Sequence, residues 1–127
     1  MSLPPLQESW HLSDDLSMLA AVTGNEEQAV FAAIADPRRR RLLDLLAAGD
    51  APAQELAEHF DVSFAAVSQH LKVLLDAGLV SRRALGRHRI YRISPERLRA
   101  VDEWTTRYRR FWQGRLRRLG EYLDTKK

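Results

Sequence analysis

Hydrophobic residues recur every three or four positions through most of this chain, a spacing typical of amphipathic helices. Capping residues, prolines and glycines divide the pattern into separate segments. Residues 1–12, which contain Pro4 and Pro5, are expected to form a flexible N-terminal tail. Helices are then predicted over Asp14–Val22 behind a Ser13 cap, over 26–35 behind an Asn25 cap, over Pro37–Ala48 behind an Asp36 cap, and over Pro52–Phe60.

The next predicted helix has two very different faces. It begins behind a Ser63 cap, runs to about Ala77 and stops at Gly78. One face is apolar and should enter the core: Phe64, Val67, Leu71, Leu74 and Leu75. The opposite face holds Ala65, Ser68, Gln69, Lys72 and Asp76, with His70 on the flank. Its N-terminal half is small, neutral and hydrogen-bonding, whereas solvent-facing helices usually carry Glu and Lys.

Two β-like runs follow, Leu79–Ala84 and His88–Ile93, joined by Leu85-Gly86-Arg87. Ser94 and Pro95 then open a long helix that reaches about Leu123. A helix followed by a basic hairpin is typical of a winged helix-turn-helix, in which the helix enters a DNA major groove and the hairpin, or wing, contacts the flanking backbone. We therefore expect a mainly α fold with a small β-hairpin.

The predicted organisation is a single winged-helix domain over residues 13–127. Within it, residues 61–78 form the turn and recognition helix, residues 79–94 the wing, and residues 95–123 a C-terminal dimerisation helix. The segment Asp14–Ala35 is expected to share in the dimer contact.

Several side chains are candidates for DNA contact. Gln69 can bond adenine through two hydrogen bonds and Ser68 can contact several bases, whereas Lys72 and His70 are placed to reach phosphates. The alternative for His70 is an imidazole satisfied on the helix flank. In the wing, Arg87 follows the Gly86 turn and is the best candidate for a minor-groove or phosphate contact, with Arg82 and Arg89 as backbone anchors. Charged edge strands also prevent aggregation, which would explain one or two of these cations.

Charge is distributed unevenly along the chain. Residues 1–37 carry six acidic residues and no Lys or Arg, whereas residues 38–127 have a net charge of +9. A basic body favours a polyanionic partner such as DNA, although Arg-rich composition can also reflect a GC-rich genome. Arg38, Arg39, Arg40 and Arg41 crowd the first turn of a helix, where the dipole disfavours cations. Either an external phosphate or acidic residues elsewhere in the fold would offset this cost.

Three segments together resemble the ArsR-type winged-helix repressors of bacteria: AVFAAIADPRRRRLLDLL, QELAEHFDVSFAAVSQHLKVLLDAGLV and GRHRIYRIS. The resemblance covers roughly residues 28–94 and implies a homodimer that binds a palindromic operator and releases it when an inducer arrives. It also implies recognition-helix contacts by Ser63, Ser68, Gln69, His70 and Lys72, and a wing contact by Arg87.

The metal sites of this family are not expected in this chain. Many members sense metals through a Cys pair that would fall near Pro52 and Gln54, and the chain has no cysteine. A second family site would fall at Asp102, Trp104, Arg115 and Arg118, two of which are cations. The four histidines show no spacing that builds a tetrahedral site. We therefore expect neither a metal nor a cofactor.

The C-terminal helix carries a stripe of apolar and aromatic side chains at near-heptad spacing. This stripe is more aromatic than a small core needs, so it predicts a dimer interface, although packing within one domain is the alternative. The predicted interface residues are Leu98, Val101, Trp104, Tyr108, Trp112 and Leu119. An unknown small-molecule inducer beside Trp104, Tyr108 and Trp112 is a weaker hypothesis.

No catalytic constellation, signal peptide or membrane-spanning run is recognisable, so we expect a non-enzymatic protein of the bacterial cytoplasm and nucleoid. The predicted function is a homodimeric transcriptional repressor of a double-stranded DNA operator. Two alternatives remain open: a sequence-independent nucleoid-type DNA-binding protein, and a winged-helix module that binds another protein.

Overall fold

The computed structural model of the protein describes residues 25–125. The predicted N-terminal tail and the predicted helix over Asp14–Val22 with its Ser13 cap lie outside these residues. The described part is mainly helical with one small antiparallel sheet, as the sequence predicts.

Helices α1 (Glu26–Ile34) and α2 (Pro37–Ala48) meet at a tight corner. The corner follows from Asp36, whose carboxylate accepts the backbone N–H of Arg38 at 2.7 Å, and from Pro37 in the first helical position. The predicted cap by Asn25 is wrong at the level of the side chain, which makes no capping hydrogen bond. The ψ of 9° at Asn25 is not the extended conformation from which a cap reaches the first turn.

Helices α3 (Ala53–Ala57) and α4 (Phe64–Asp76) form the helix-turn-helix. The predicted helix over Pro52–Phe60 is wrong in its bounds, because Ala51 and Pro52 form a short strand, β1, before α3 begins. Proline has no N–H to donate to a ladder, so it is confined to edge positions such as this one. Helix α4 starts as predicted, with Ser63 Oγ accepting the backbone N–H of Ala66 at 3.1 Å.

The wing is a hairpin of β2 (Val80–Leu85) and β3 (His88–Ile93), with β1 added on the far side of β3. Gly86 and Arg87 make the turn, and Gly86 has a φ of +62°. A positive φ at the first turn position alone is typical of a type II′ hairpin, which glycine forms without strain. The sequence predicted the hairpin but not β1, because two residues carry no readable periodicity.

The C-terminal segment begins with a 3₁₀ turn over Pro95–Leu98 and continues as α5 (Arg99–Thr125). The sequence predicted one helix from 95 to 123, and a 3₁₀ first turn is a common start for an α-helix. At 27 residues, α5 is about 40 Å long. Helix α5 contributes no buried residue to the core. Leu98 of the 3₁₀ turn and Val101 of α5 are half-buried and pack against the core.

The core lies where α1, α2 and α4 meet the sheet. Its most deeply buried side chains are apolar and come from helices α1 to α4 and from the start of the wing: Val30, Leu42, Leu46, Leu56, Val67, Leu71, Leu74, Leu79 and Val80. Within residues 25–125, no helix is long and apolar enough to cross a membrane.

Candidate nucleic-acid interface

A groove of about 710 Å³ runs between α4 and the wing. One wall is the polar face of α4, and the other wall comes from the strands and turn of the wing. The residues that line it are Ala53, Gln54, Phe64, Ala65, Ser68, Gln69, Lys72, Leu75, Asp76, Arg82, Arg87, Arg89 and Tyr91. Six of the eight predicted DNA contacts therefore lie together on this groove.

The α4 wall presents a neutral half followed by a charged half. Ser68 is half-buried and Gln69 is exposed, so the amide of Gln69 is free to meet a base edge. One turn further, the ammonium of Lys72 lies 3.3 Å from the carboxylate of Asp76. The Lys72 side chain is 58% exposed, so a phosphate can compete with Asp76 for its ammonium.

Strand register decides which wing cations face the groove. Arg82 pairs with Tyr91 and Ala84 with Arg89, and cross-strand partners lie on the same side of a sheet. Arg82 and Arg89 therefore share the groove face, and Arg87 at the turn joins them. Three arginines on one face of the hairpin can attract the negatively charged phosphates of a nucleic-acid backbone.

The remaining wing cations belong to the opposite face. Arg92 pairs in register with Ser81 on that face, and its guanidinium donates to the Asp50 carboxylate at 3.0 and 3.1 Å. Arg83 pairs with Ile90, also away from the groove. The register therefore leaves on the groove the three wing arginines that the sequence predicted as DNA contacts, Arg82, Arg87 and Arg89.

Two predicted DNA contacts lie outside the groove. Ser63 is exposed, and its hydroxyl already accepts the N–H of Ala66 as the α4 cap. His70 is half-buried on the flank of α4, where its Nδ1 atom lies 3.3 Å from the guanidinium of Arg39. Their contact with DNA stays a prediction.

The arginines in the first turn of α2 find partners that neither sequence hypothesis considered. The Arg39 guanidinium donates to the carbonyls of Ala33 at 2.6 Å and Ala32 at 3.1 Å, and Arg40 donates to the carbonyl of Ile34 at 2.7 Å. These carbonyls end α1, where the helix dipole favours cations. Arg39 and Arg40 thus place their charges at the C-terminal end of α1, where the dipole favours them, and not at the N-terminal end of α2, where it does not.

Asp36 lies beside the same arginines. Partial desolvation raises the pKa of its carboxyl, but the N–H donors of Arg38 and Arg39 and the charge of Arg39 outweigh this effect. The pKa of Asp36 is therefore held below its ordinary value.

Phe64 corrects the predicted core face of α4. Its ring is 48% exposed on the rim of the groove, whereas Val67, Leu71, Leu74 and Leu75 are buried as predicted. The first turn of α4 projects beyond the core, so a residue on the apolar stripe there has nothing to pack against. Gln54 on α3 also lines the groove and was not among the predicted DNA contacts. Its position near the start of α3, the short helix before α4, was the only sequence signal that could have indicated it.

An apolar and aromatic face of α5 is exposed along most of its length. Of the predicted interface residues, Leu98 and Val101 are half-buried, and the others are exposed: Trp104, Tyr108, Trp112 and Leu119. The ring of Trp104 meets Phe31 of α1 edge-on, with centroids 5.7 Å apart. An exposed aromatic stripe of this length marks an interaction surface.

Among residues 25–125, no group of three or more His, Cys, Asp or Glu side chains is arranged to hold a metal ion. His11 lies outside this range.

Residues 36–82, which include all of α3 and α4, match the family model described as bacterial regulatory protein, arsR family. The chain is 40% identical over 75 residues to the transcriptional repressor SdpR of Bacillus subtilis, covering 59% of this chain and 83% of SdpR. It is 41% identical over 93 residues to the HTH-type transcriptional regulator Rv2034 of Mycobacterium tuberculosis, covering 73% of this chain and 84% of Rv2034. The homodimeric winged helix-turn-helix DNA-binding domain Mb0332 of Mycobacterium bovis superimposes with a TM-score of 0.57 and 30% identity, covering 70% of this chain and 85% of that one.

Proposed function

This chain belongs to the ArsR family of bacterial transcriptional regulators, and from that premise we propose that it is a homodimeric repressor of a palindromic DNA operator. The relatives are DNA-binding regulators and not enzymes, which agrees with the absence of a catalytic motif in the sequence. One observation carries the proposal for the site: six predicted DNA contacts from α4 and the wing line a single groove.

In the proposed complex, the neutral half of α4 lies in the major groove. Ser68 and Gln69 read base edges, and Lys72 contacts the backbone beside them. The phosphate ridge beside the major groove lies over the groove between α4 and the wing, within reach of Arg82 and Arg89. Arg87 at the tip of the wing extends to the flanking backbone or minor groove.

The apolar face of α5 supports the proposal of a homodimer. It leaves Trp104, Tyr108, Trp112 and Leu119 exposed, which is costly for an isolated protomer. The Mb0332 domain, which is homodimeric, has the same fold. A two-fold dimer would place two copies of α4 about one DNA turn apart, roughly 34–36 Å.

A mobility-shift titration tests this function. The wild-type protein is titrated against the promoter DNA of its own gene and against a random duplex of equal length, at physiological salt. We expect the promoter to bind at least about 1,000-fold more tightly. Equal affinities would instead favour the sequence-independent nucleoid-type protein, because phosphate contacts alone do not distinguish sequences. No binding to either duplex would favour the protein-interaction module.

A further inference from the structure

The guanidinium of Arg39 contacts three parts of the fold, one of which is the proposed recognition helix α4. Arg39, in the first turn of α2, donates to the carbonyls of Ala33 and Ala32 at the end of α1. Its third nitrogen lies 3.3 Å from His70 Nδ1 on α4 and 4.0 Å from the Asp36 carboxylate. All three guanidinium nitrogens therefore have a partner, and these partners belong to α1, the α1–α2 corner and α4.

The contact between Arg39 and His70 has only one possible polarity. An arginine guanidinium has donors and no acceptor, so Nδ1 of His70 must accept the hydrogen bond, and the ring proton must lie on Nε2. The Arg39 side chain is only 17% exposed. At this burial, removing the acceptor leaves a charged donor with no partner closer than the Asp36 carboxylate at 4.0 Å, which is costlier than losing an exposed hydrogen bond.

The position of His70 makes this contact relevant to DNA. His70 directly follows Gln69 in α4 and lies on the flank of the helix, outside the groove. A rotation of α4 about its axis would move His70 and Gln69 together. The other partner of Arg39, α1, packs against α5 through Phe31 and Trp104. Arg39 thus connects the recognition helix to the two helices next to the proposed dimer interface.

We propose that Arg39 is a positioning residue for DNA recognition: through His70 it fixes the rotational setting of α4 on α1, and so aims Ser68 and Gln69 at the bases. This inference rests on the proposed function. It gives His70 a role different from the phosphate contact expected from the sequence, since it uses Nδ1 toward the protein instead of Nε2 toward DNA.

Two substitutions of His70 separate these roles. His70→Asn keeps an acceptor close to the position of Nδ1, and His70→Gln keeps a donor close to the position of Nε2. The positioning role predicts that His70→Asn binds the promoter duplex about tenfold more tightly than His70→Gln does, the effect of one hydrogen bond to a charged group. A phosphate contact predicts the reverse order. Equal affinities of the two variants, or the reverse order, would overturn the inference.

The second measurement is the ratio of promoter affinity to random-duplex affinity, with Arg39→Gln compared against Arg40→Gln. Both arginines bond carbonyls at the end of α1, but Arg39 also contacts His70 on α4. A partly unfolded protein loses both affinities by the same factor, whereas a misaimed helix loses the promoter affinity alone. We expect the ratio to fall about tenfold for Arg39→Gln and to hold for Arg40→Gln.

The outcomes distinguish the two proposals. If the wild-type protein does not prefer its promoter, the proposed function fails. If the wild type does prefer it and Arg39→Gln keeps the wild-type ratio, or Arg40→Gln loses as much as Arg39→Gln, the function stands and the positioning role is wrong.

Discussion

At the scale of single residues, the two walls of the groove have different chemistry. Gln69 offers an amide that can read one base pair, whereas Arg87 offers a charge that meets any phosphate. The polar wall therefore predicts specificity and the basic wall predicts affinity. Both depend on surface side chains that the core does not constrain.

We expect Gln69→Ala and Arg87→Ala to weaken DNA binding in different ways. Gln69→Ala should relax the preference for one base pair, a loss of about 1–3 kcal/mol on the promoter only. Arg87→Ala should weaken promoter and random DNA alike and reduce the salt dependence of binding by about one phosphate contact. Both are measured by mobility-shift titrations at several salt concentrations.

The matched control for Arg87 is Arg92→Ala. Arg92 lies in the same hairpin but faces Asp50 on the side away from the groove. It should leave DNA affinity nearly unchanged. A loss at Arg92 equal to that at Arg87 would mean that the wing acts through net charge and not through the groove.

Asp36 gives a pH dependence whose sign follows from its lowered pKa. Because its pKa is lower in the folded than in the unfolded protein, ionised Asp36 stabilises the fold, and this contribution is lost as the pH falls through the folded pKa. We expect the unfolding midpoints of wild type and Asp36→Ser to differ by a constant amount from about pH 8 to 5, and to converge below about pH 4. Serine keeps an uncharged cap, so a difference that persists at low pH would contradict this account.

At the scale of elements, glycine has opposite effects at two positions. Gly78 ends α4 with a φ of +76°, and an added Cβ would lie 2.6 Å from the Arg97 guanidinium. Gly114 lies inside α5, and an added Cβ there meets nothing within 4 Å. The left-handed conformation at position 78 therefore requires glycine, whereas glycine at position 114 makes α5 less stable than alanine would.

We expect Gly78→Ala to lower the free energy of unfolding by about 1–2 kcal/mol, the cost of a left-handed conformation in a residue with a Cβ. Gly114→Ala should raise it by about 0.5–1 kcal/mol. Urea unfolding followed by circular dichroism measures both. A stabilising Gly78→Ala would refute the strain argument, and a destabilising Gly114→Ala would indicate that α5 is packed closely at that position in the dimer.

The elements also show where sequence rules stop. Caps and stops predicted α2 and α4 almost to the residue, because Asp36, Ser63 and Gly78 act on backbone groups within one turn of themselves. Strand β1 was missed because it exists only through pairing with Tyr91 and Ile90 in β3. That pairing depends on the fold and not on any local propensity.

At the scale of the whole molecule, α5 carries most of the large hydrophobic side chains that are exposed within residues 25–125. Its apolar stripe faces outward from Trp104 to Leu123, and Arg115 within the stripe lies 4.6 Å over the ring of Phe111. A second copy of the chain would cover this surface in the proposed dimer.

We expect Trp112→Glu to convert the dimer to a monomer, because it buries a charge at the centre of the interface. Gln113→Glu adds the same charge one residue away, on the other side of α5, and should leave the dimer intact. The oligomeric state of both variants is measured by sedimentation velocity at about 10 µM. This concentration is well above the dissociation constants typical of operator binding. A wild-type protein that is monomeric there, or a Gln113→Glu variant that dissociates equally, would contradict the interface.

The sequence by itself determined the fold class, the bounds of the main helices, the family and the residues of the recognition helix. The fold class and the helix bounds followed because capping, hydrophobic periodicity and turn chemistry act between residues close along the chain, whereas the family came from the resemblance of three sequence segments to ArsR-type repressors. The tertiary structure decided which wing arginines face the groove, that Phe64 lies on its rim, and that Arg39 contacts His70. Those outcomes depend on register and on packing between residues far apart, 31 positions in the case of Arg39 and His70, where local patterns carry no information.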